Sequence, residues 1–407
     1  MLQGANYLIP LLTLPYLVRV LGVEYFGLLA FATATNAYFL LVTDYGFNLS
    51  ATRQISVNRE DRHKVQDIFS SVLTIKFIMM LTSLFVLVVA VYSIDKLRAD
   101  WEVYALTFGM VVGQALFPVW FFQGMERMKY VALLNIGTKI IFTACIFLFV
   151  NTKEDYYLVP LINSSGYIFM GVYSLYIISK DYGIKFKIQE KKSIIYQLKE
   201  GWYIFYSSMA ISFYTISVTF LLGLLTNNKT VGYYSAAENI IKAVHALYAP
   251  VSQSLYPFLS KVIDSSKSKG IYVIRRVLLL LGSVMLVVSS IVFILSEQIV
   301  LLILGAQYSD SIVIVKILAF LPFIVVLSNI FGIQTMLNFD LKVAFSRILS
   351  AAAVLGVILS LLLIPVYHGE GAAATILIVE TFVSIVMFVY LQMNNIKVVV
   401  FKRDRCG

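Results

Sequence analysis

The sequence has little charge for its length. Asp, Glu, Lys and Arg make up 13% of the 407 residues, whereas hydrophobic residues make up 60%. A soluble domain carries about 25% charged residues, so this chain has about half the charge that a water-facing surface needs. Cysteine is also scarce, because Cys145 and Cys406 are the only two and form no motif. These scarcities exclude a cytosolic enzyme, a secreted disulfide scaffold and a disordered protein.

Motifs for nucleotide or metal chemistry are missing from the sequence. It contains no G-x-x-x-x-G-K-[ST] loop, no G-x-G-x-x-G after a strand, no H-E-x-x-H and no paired-cysteine site. We therefore expect no cofactor, no metal and no ATP-driven pumping by this chain alone. The mean hydropathy of +0.85 and the long apolar runs instead predict an all-α polytopic membrane protein.

Twelve segments are apolar over about 20 residues, which is the length that a helix needs to cross the hydrocarbon of a bilayer. No connection between them is long enough for a folded extramembrane domain, and Met1 runs into the first segment without a cleavable signal peptide. The predicted spans are 1–22, 27–50, 68–93, 103–123, 131–150, 158–179, 200–225, 232–259, 273–295, 308–337, 346–366 and 372–393.

The basic residues predict how these spans are oriented. The chain has a net charge of +10, and 23 of its Lys and Arg residues fall in one alternate set of loops and ends, against 5 in the opposite set. Cytoplasmic loops carry the excess of Lys and Arg in membrane proteins. The distribution therefore predicts a multi-pass protein with both termini in the cytoplasm.

A weak internal repeat predicts two halves. The segment FGLLAFA at 26–32 resembles VGYYSAA at 231–237, an offset of 205 residues, and each opens the second span of its half. Parallel six-span repeats bind the transported species between them. We predict an N-terminal bundle at 1–179, a basic cytoplasmic linker at 180–199, a C-terminal bundle at 200–393 and a cytoplasmic tail at 394–407. A chance match of small residues is the alternative.

Charged residues lie inside several predicted spans, where each costs about 2.5–3.5 kcal/mol on insertion scales. Lys76 and Lys139 could snorkel to the nearer headgroups. Glu238, Lys242 and His245 have the spacing i, i+4, i+7, so they share one helical face. A structural Glu238–Lys242 ion pair and a satisfied interior histidine are the alternatives there. The other deep charged residues are Asp44, Lys316 and Glu380.

The deep lysines outnumber the deep carboxylates. Together they predict a water-filled, cationic cavity between the two bundles, which would suit an anionic cargo such as a phosphate or pyrophosphate headgroup. Tyrosine is abundant around the seventh and eighth spans, and its flat apolar face and polar tip suit sugar rings. An interfacial aromatic belt explains many of these tyrosines equally well.

Three stretches of sequence resemble one known family. They are NYLIPLLTLPYL at 6–17 with the following Arg19, DYGFNLSATR at 44–53, and VGYYSAAE at 231–238 with the downstream Pro250 and Pro257. The chain resembles bacterial O-antigen and polysaccharide flippases of the multidrug/oligosaccharidyl-lipid/polysaccharide exporter superfamily. The resemblance implies a MATE-like fold of two six-helix bundles. The matching charged positions are Arg19, Asp44, Arg53, Glu238 and Lys242.

The resemblance also implies a function. Such proteins move undecaprenyl-pyrophosphate-linked oligosaccharide across the bacterial inner membrane by alternating access, with proton coupling suggested for the family. Polysaccharide polymerase and a chain-length regulator are the implied partners, besides membrane lipid, and no nucleic acid is expected. Arg19, Lys76, Lys139, Lys242, His245 and Lys316 are the predicted substrate-binding residues, and Asp44, Glu238 and Glu380 are predicted to balance charge or couple protons.

Two alternatives remain at this point. A multidrug or cation antiporter of the same superfamily would need an acidic cavity, which the excess of deep lysines disfavours. A membrane enzyme of glycan assembly, such as a polymerase or ligase, would need a large outer loop, and every predicted outer loop is short. We therefore predict a transporter rather than an enzyme.

Overall fold

The predicted all-α fold is confirmed. In the computed structural model, which describes residues 2–398 except for the side chains of 2–11, 207, 210, 211 and 213–215, no residue lies in a strand. Met1 and residues 399–407 of the predicted tail lie outside this description. The helices are α1 Leu2–Asp44, α2 Phe47–Asn58, α3 Arg62–Ser93, α4 Asp95–Ala99, α5 Trp101–Leu116, α6 Val119–Gly124, α7 Met128–Phe149, α8 Leu158–Asp181, α9 Lys191–Leu225, α10 Asn228–Ala246, α11 Ala249–Ser265, α12 Lys267–Ile294, α13 Ser296–Ile303, α14 Ser311–Leu318, α15 Leu321–Asn329 and α16 Lys342–Met393.

Helices occupy the positions of all twelve predicted spans. Eight segments among the described residues are long and apolar enough to cross a membrane, and two of them contain two predicted spans each. α1 breaks at Gly22, where φ is 72°, and α16 breaks at His368, where φ is 48°. The predicted span 200–225 lies on α9, some side chains of which fall outside the description, and the predicted span 232–259 lies on α10 with α11. The protein is therefore a polytopic membrane protein.

The chain divides into two compact units, Met1–Ser212 and Phe213–Gly407. This division falls inside α9, about a dozen residues beyond the end of the predicted linker at 180–199. Each unit has its own apolar core. The N-terminal core is centred on Trp120, Phe121 and Phe122 of α6, and the C-terminal core includes Phe331 and Met336. We describe the two units separately.

Close packing of α5 against α8 organises the N-terminal unit. A methyl group at Gly113 would lie 2.2 Å from the carbonyl carbon of Tyr167, and one at Gly109 would lie 2.6 Å from Ser164. Gly109 and Gly113 have the G-x-x-x-G spacing that lets membrane helices approach closely. The Ser164 hydroxyl donates a hydrogen bond across the contact to the Leu106 carbonyl. The interface therefore depends on glycine at two positions of α5.

Apolar side chains face outward on the helices of this unit. On α3, Phe85 and Leu81 are exposed, whereas Lys76 of the same helix is 1% exposed. A soluble helix would show the opposite arrangement, with its lysine in water and its phenylalanine in the core. This distribution is expected when lipid rather than water surrounds the helices, because lipid tails are as apolar as the core.

An irregular segment interrupts the tenth predicted span in the C-terminal unit. Residues Ile330–Met336 form a π-helix between α15 and the turn that precedes α16. The Asn329 side chain accepts hydrogen bonds from the Tyr248 hydroxyl at 2.9 Å and the Ser252 hydroxyl at 2.8 Å. Gln334 donates to the Ser252 carbonyl at 3.0 Å. This polar network ties α11 to the π-helix, and such single-turn bulges often accompany functional sites.

The internal repeat extends to the helix starts. Asp61 caps α3 and Ser266 caps α12, and these residues are separated by the same offset as the two similar segments of the sequence. The Asp61 carboxylate accepts from the backbone N–H groups of His63 and Lys64, and the Ser266 hydroxyl accepts from that of Lys269. Both caps satisfy N–H groups that have no partner inside the helix. The two halves therefore start their third spans in the same way.

Candidate functional site

α10 carries three predicted site residues on one face. Lys242 Nζ lies 2.8 Å from Glu238 Oε2, one helical turn away. The Glu238 side chain is 11% exposed, whereas that of Lys242 is 63% exposed. His245 follows on the same face and is half-buried. The Glu238–Lys242 ion pair, which was one of the alternatives from the sequence, is therefore formed. Its carboxylate is covered and its ammonium group is accessible.

These three residues line a cavity of about 390 Å³ in the C-terminal unit, which we call the Lys242 cavity. A fourth predicted residue, Glu380 of α16, lies in its wall and accepts a hydrogen bond from the Ser328 hydroxyl at 3.3 Å. The rest of the wall is mostly apolar. It consists of Ile216, Val218, Ile241, Leu321, Pro322, Val325, Gly356, Thr375, Ile376 and Val379.

The charges of the Lys242 cavity are mixed. Glu238 and Glu380 supply two carboxylates against the one ammonium of Lys242. Electrostatic interactions are stronger between apolar walls than in bulk water, because the effective dielectric constant is lower. The cavity can therefore offer an ammonium to an anion, and its carboxylates can hold a proton or a cation. The Lys242 cavity lies within the C-terminal unit, so the cationic cavity predicted between the two bundles stays a prediction.

Asp44 and Lys76 meet each other in the N-terminal unit. Lys76 Nζ lies 3.6 Å from Asp44 Oδ1 and donates a hydrogen bond to the Gln114 carbonyl at 3.1 Å. Asn48 donates to the other Asp44 oxygen at 2.8 Å. Tyr45 and the following glycine, both with positive φ, turn the chain between α1 and α2 next to this pair. The pair thus joins the end of α1 to α3 and α5, and Lys76 lines neither the Lys242 cavity nor the second cavity described below.

Lys139 lines a second cavity, of about 240 Å³, inside the N-terminal unit, which we call the Lys139 cavity. Its walls come from α1, α5, α7 and α8. Arg19 and Lys316 are exposed, and neither lines either cavity. The structure therefore gathers Glu238, Lys242, His245 and Glu380 at one site and places the other predicted residues at different positions.

Sequence reasoning missed several polar residues of these sites. Asn163 and Tyr167 line the Lys139 cavity, and Ser328 contacts Glu380. None of them is charged, so none is conspicuous in an apolar span. The spacing of Asn135, Thr138 and Lys139 on α7 was a usable signal, because it marks one polar face on an otherwise apolar helix.

Residues 1–263 match the family described as "Polysaccharide biosynthesis protein". The chain belongs to this family. It is 33% identical over 396 residues to a protein of Escherichia coli K12, with 97% of this chain and 95% of that protein covered. It is 28% identical to a protein of Shigella dysenteriae, with 95% and 96% covered. Both relatives bear the name "Putative O-antigen transporter".

Solved transporter structures share the fold. The lipid II flippase MurJ in an inward closed conformation matches with a TM-score of 0.67 at 15% identity, covering 98% of this chain and 89% of that one. An inward-facing multidrug resistance MATE family transporter of the MOP superfamily matches with a TM-score of 0.63 at 13% identity, covering 98% and 96%. The MATE-like fold class is therefore confirmed, and the family supports the prediction of a membrane transporter rather than an enzyme.

Proposed function

We propose that this chain is a flippase for undecaprenyl-pyrophosphate-linked oligosaccharide. It would move an O-antigen or related surface polysaccharide repeat unit from the cytoplasmic to the outer leaflet of the bacterial inner membrane. The observation that carries the proposal is the similarity, over nearly the whole chain, to two proteins named as O-antigen transporters. The likeness of fold to a lipid II flippase supports a lipid-linked cargo.

Lys242 is the group that we assign to the pyrophosphate. Its ammonium is well exposed in the Lys242 cavity, while its partner carboxylate is covered. Hydrogen bonds between an ammonium and a phosphate are among the stronger polar contacts of proteins. The apolar wall around it can accept the lipid-proximal part of the cargo. His245, one turn further along α10, would add a second nitrogen donor on the same face.

Alternating access and proton coupling complete the proposal. Protonation of Glu238 would remove the carboxylate that competes for Lys242, and so would free the ammonium to bind an anion. Glu380 lines the same cavity and could hold the proton at another stage. Protonation of the carboxylate would then raise the affinity for the anionic cargo, and binding of the cargo would raise the affinity for the proton by the same factor.

The membrane arrangement and the partners are part of the proposal. Both termini and the basic segment 180–199 would face the cytoplasm, as the excess of Lys and Arg in alternate loops supports. A 180–199 linker would then join the bundles 1–179 and 200–393. A polysaccharide polymerase and a chain-length regulator would act on the units after translocation, because translocated repeat units are substrates for chain extension.

Replacing Lys242 with Ala tests the site. In a strain that lacks its own O-antigen transporter and is complemented with this chain, we expect K242A to abolish surface polysaccharide while the protein level stays normal. K242R should retain part of the export, because it keeps the cation. The matched control is Lys229→Ala, since Lys229 is exposed at the start of α10 and lines neither cavity. Normal export by K242A would show that Lys242 is structural only.

A cation or multidrug antiporter is the second candidate function. Two carboxylates face one ammonium in the Lys242 cavity, which is an arrangement that can bind a cation. Ethidium efflux from cells that express the chain distinguishes the two candidates. A flippase should export glycan without lowering cellular ethidium, whereas an antiporter should lower ethidium and fail to restore surface polysaccharide.

A further inference from the structure

The Lys139 cavity differs from the Lys242 cavity in its chemistry. Seven of its twelve lining residues are polar, although the cavity lies among membrane-spanning helices. Among the residues whose side chains the structure describes, none of the lining residues is acidic. The polar members are Thr13, Asn135, Thr138, Lys139, Thr143, Asn163 and Tyr167, and the apolar ones are Leu17, Met110, Phe142, Ile146 and Met170.

The polar face of α7 points into this cavity. The six α7 residues at the wall, four of them polar, are spaced i, i+3, i+4, i+7, i+8 and i+11, which is one continuous helical stripe. Polar groups are costly where they face lipid, so a stripe of amide, hydroxyl and ammonium groups in a spanning helix normally faces water or a ligand. The stripe is therefore a sign of a polar occupant inside the N-terminal unit.

Close backbone packing holds the aromatic walls in place. A methyl group at Gly166 would lie 1.5 Å from the Phe142 ring, so that ring rests directly on α8. The Tyr167 backbone rests on Gly113 of α5 in the same way. The two rings are 6.3 Å apart, at an angle of 44°. The cavity thus has aromatic surfaces positioned before any ligand binds.

We propose that the Lys139 cavity binds one sugar residue that carries an anionic group, either a carboxylate or a phosphate. Amides and hydroxyls match sugar hydroxyl groups, aromatic faces match the apolar face of the ring, and Lys139 pairs with the anion. At about 240 Å³ the cavity is smaller than the roughly 300 Å³ at which sites for drug-sized ligands begin, so it admits one sugar unit. The identity of this ligand as part of the cargo rests on the proposed function.

The test uses the full chain in lipid nanodiscs and saturation-transfer NMR titrations with four probes. These are glucose, glucuronate, glucose 1-phosphate and inorganic phosphate. We expect at least one of the two anionic sugars to bind roughly tenfold more tightly than both glucose and inorganic phosphate, as an added charged hydrogen bond allows. Tighter binding of glucuronate would identify a carboxylate ligand, and tighter binding of glucose 1-phosphate a phosphate ligand.

Substitutions on α7 distinguish binding in the Lys139 cavity from a non-specific attraction of anions to the protein's positive charge. Lys139→Met should reduce binding of the anionic sugars to the level of glucose, and Lys139→Arg should restore part of it. Lys129→Met is the matched control, because Lys129 is exposed at the start of the same helix and should leave binding unchanged. If Lys139→Met does not fold, Asn163→Leu keeps the cation and should weaken glucose and glucuronate alike.

Three results would overturn the inference. They are equal binding of glucose and both anionic sugars, binding of inorganic phosphate as tight as that of the sugars, and unchanged titrations in both Lys139→Met and Asn163→Leu. The export assay is separate from these titrations. A wild-type chain that binds the probes as expected but exports no glycan would refute the proposed function and leave the sugar site standing.

Discussion

Lys76→Met is the substitution that best separates a structural lysine from a substrate-binding one. Lys76 is 1% exposed and its amine has two partners, Asp44 at 3.6 Å and the Gln114 carbonyl at 3.1 Å. Methionine has a similar length and no charge, so the change leaves the Asp44 carboxylate without its cation. Binding of a pyrophosphate by Lys76 would require the amine to leave this pair.

The expected cost follows from the burial of the pair. Removing one partner of a buried ion pair costs about 3–5 kcal/mol. Asp44 is 27% exposed, so solvent can reach the orphaned carboxylate, and we expect a loss near the lower end of that range. Asp44→Asn combined with Lys76→Met removes both charges, and it should recover about 1–3 kcal/mol of the loss, because no unpaired carboxylate is left behind.

Unfolding by SDS in mixed micelles, followed by tryptophan fluorescence, measures this loss. All three tryptophans, Trp101, Trp120 and Trp202, lie in the unit that contains the pair. The double variant should also regain glycan export in the complementation assay. A double variant no more stable than Lys76→Met would refute the ion-pair reasoning. A stable double variant without export would show instead that Asp44 or Lys76 serves transport directly.

Two further substitutions test the packing and a helix cap. Gly113→Ala should strongly lower thermal stability, because the new methyl group would lie 2.2 Å from the Tyr167 backbone. Gly137→Ala is the control and should not lower it, because no neighbouring atom lies within 4 Å of the new methyl group. Equal melting temperatures for the two variants would contradict the close packing of α5 on α8. The hydrogen bond from the backbone N–H of Lys64 lowers the pKa of the Asp61 carboxyl below its usual value of 3.8. The cap therefore stabilises the folded protein fully above that pH, and this stabilisation is lost as the pH falls through the lowered pKa. Asp61→Ala should therefore melt below the wild type at pH 7 but with a smaller difference at pH 3, and a difference independent of pH would contradict this assignment.

Much of the fold could be predicted because its determinants are local. Lipid cannot satisfy backbone polar groups, so each long apolar segment must be helical. The start of α3 after Asp61 and the common face of Glu238, Lys242 and His245 likewise depend only on residues within a turn or two. The break at His368 falls between the predicted spans 346–366 and 372–393. The π-helix at Ile330–Met336 lies inside a predicted span and carries no strong sequence signal.

The site was predicted less completely than the fold. From the sequence, Lys76 and Lys139 look alike, since each is a single lysine in the inner half of an apolar span. In the structure one is covered by an ion pair and the other lines a cavity. The Lys242 cavity, inside the C-terminal unit, is lined by two carboxylates and one ammonium group, a balance that the excess of deep lysines along the chain does not indicate. Counting charges along a chain does not reveal which of them face each other.

The sequence by itself determined the class of protein, the number and positions of the spans and the grouping of three ionisable residues on α10. Each of these follows from composition or from helical periodicity, which act over short stretches of chain. Only the tertiary structure decided that Asp44 meets Lys76, that Glu380 joins the α10 residues, and that uncharged residues such as Asn163 complete the Lys139 cavity. These contacts join helices far apart in sequence, and they depend on where glycines such as Gly113 let the helices approach.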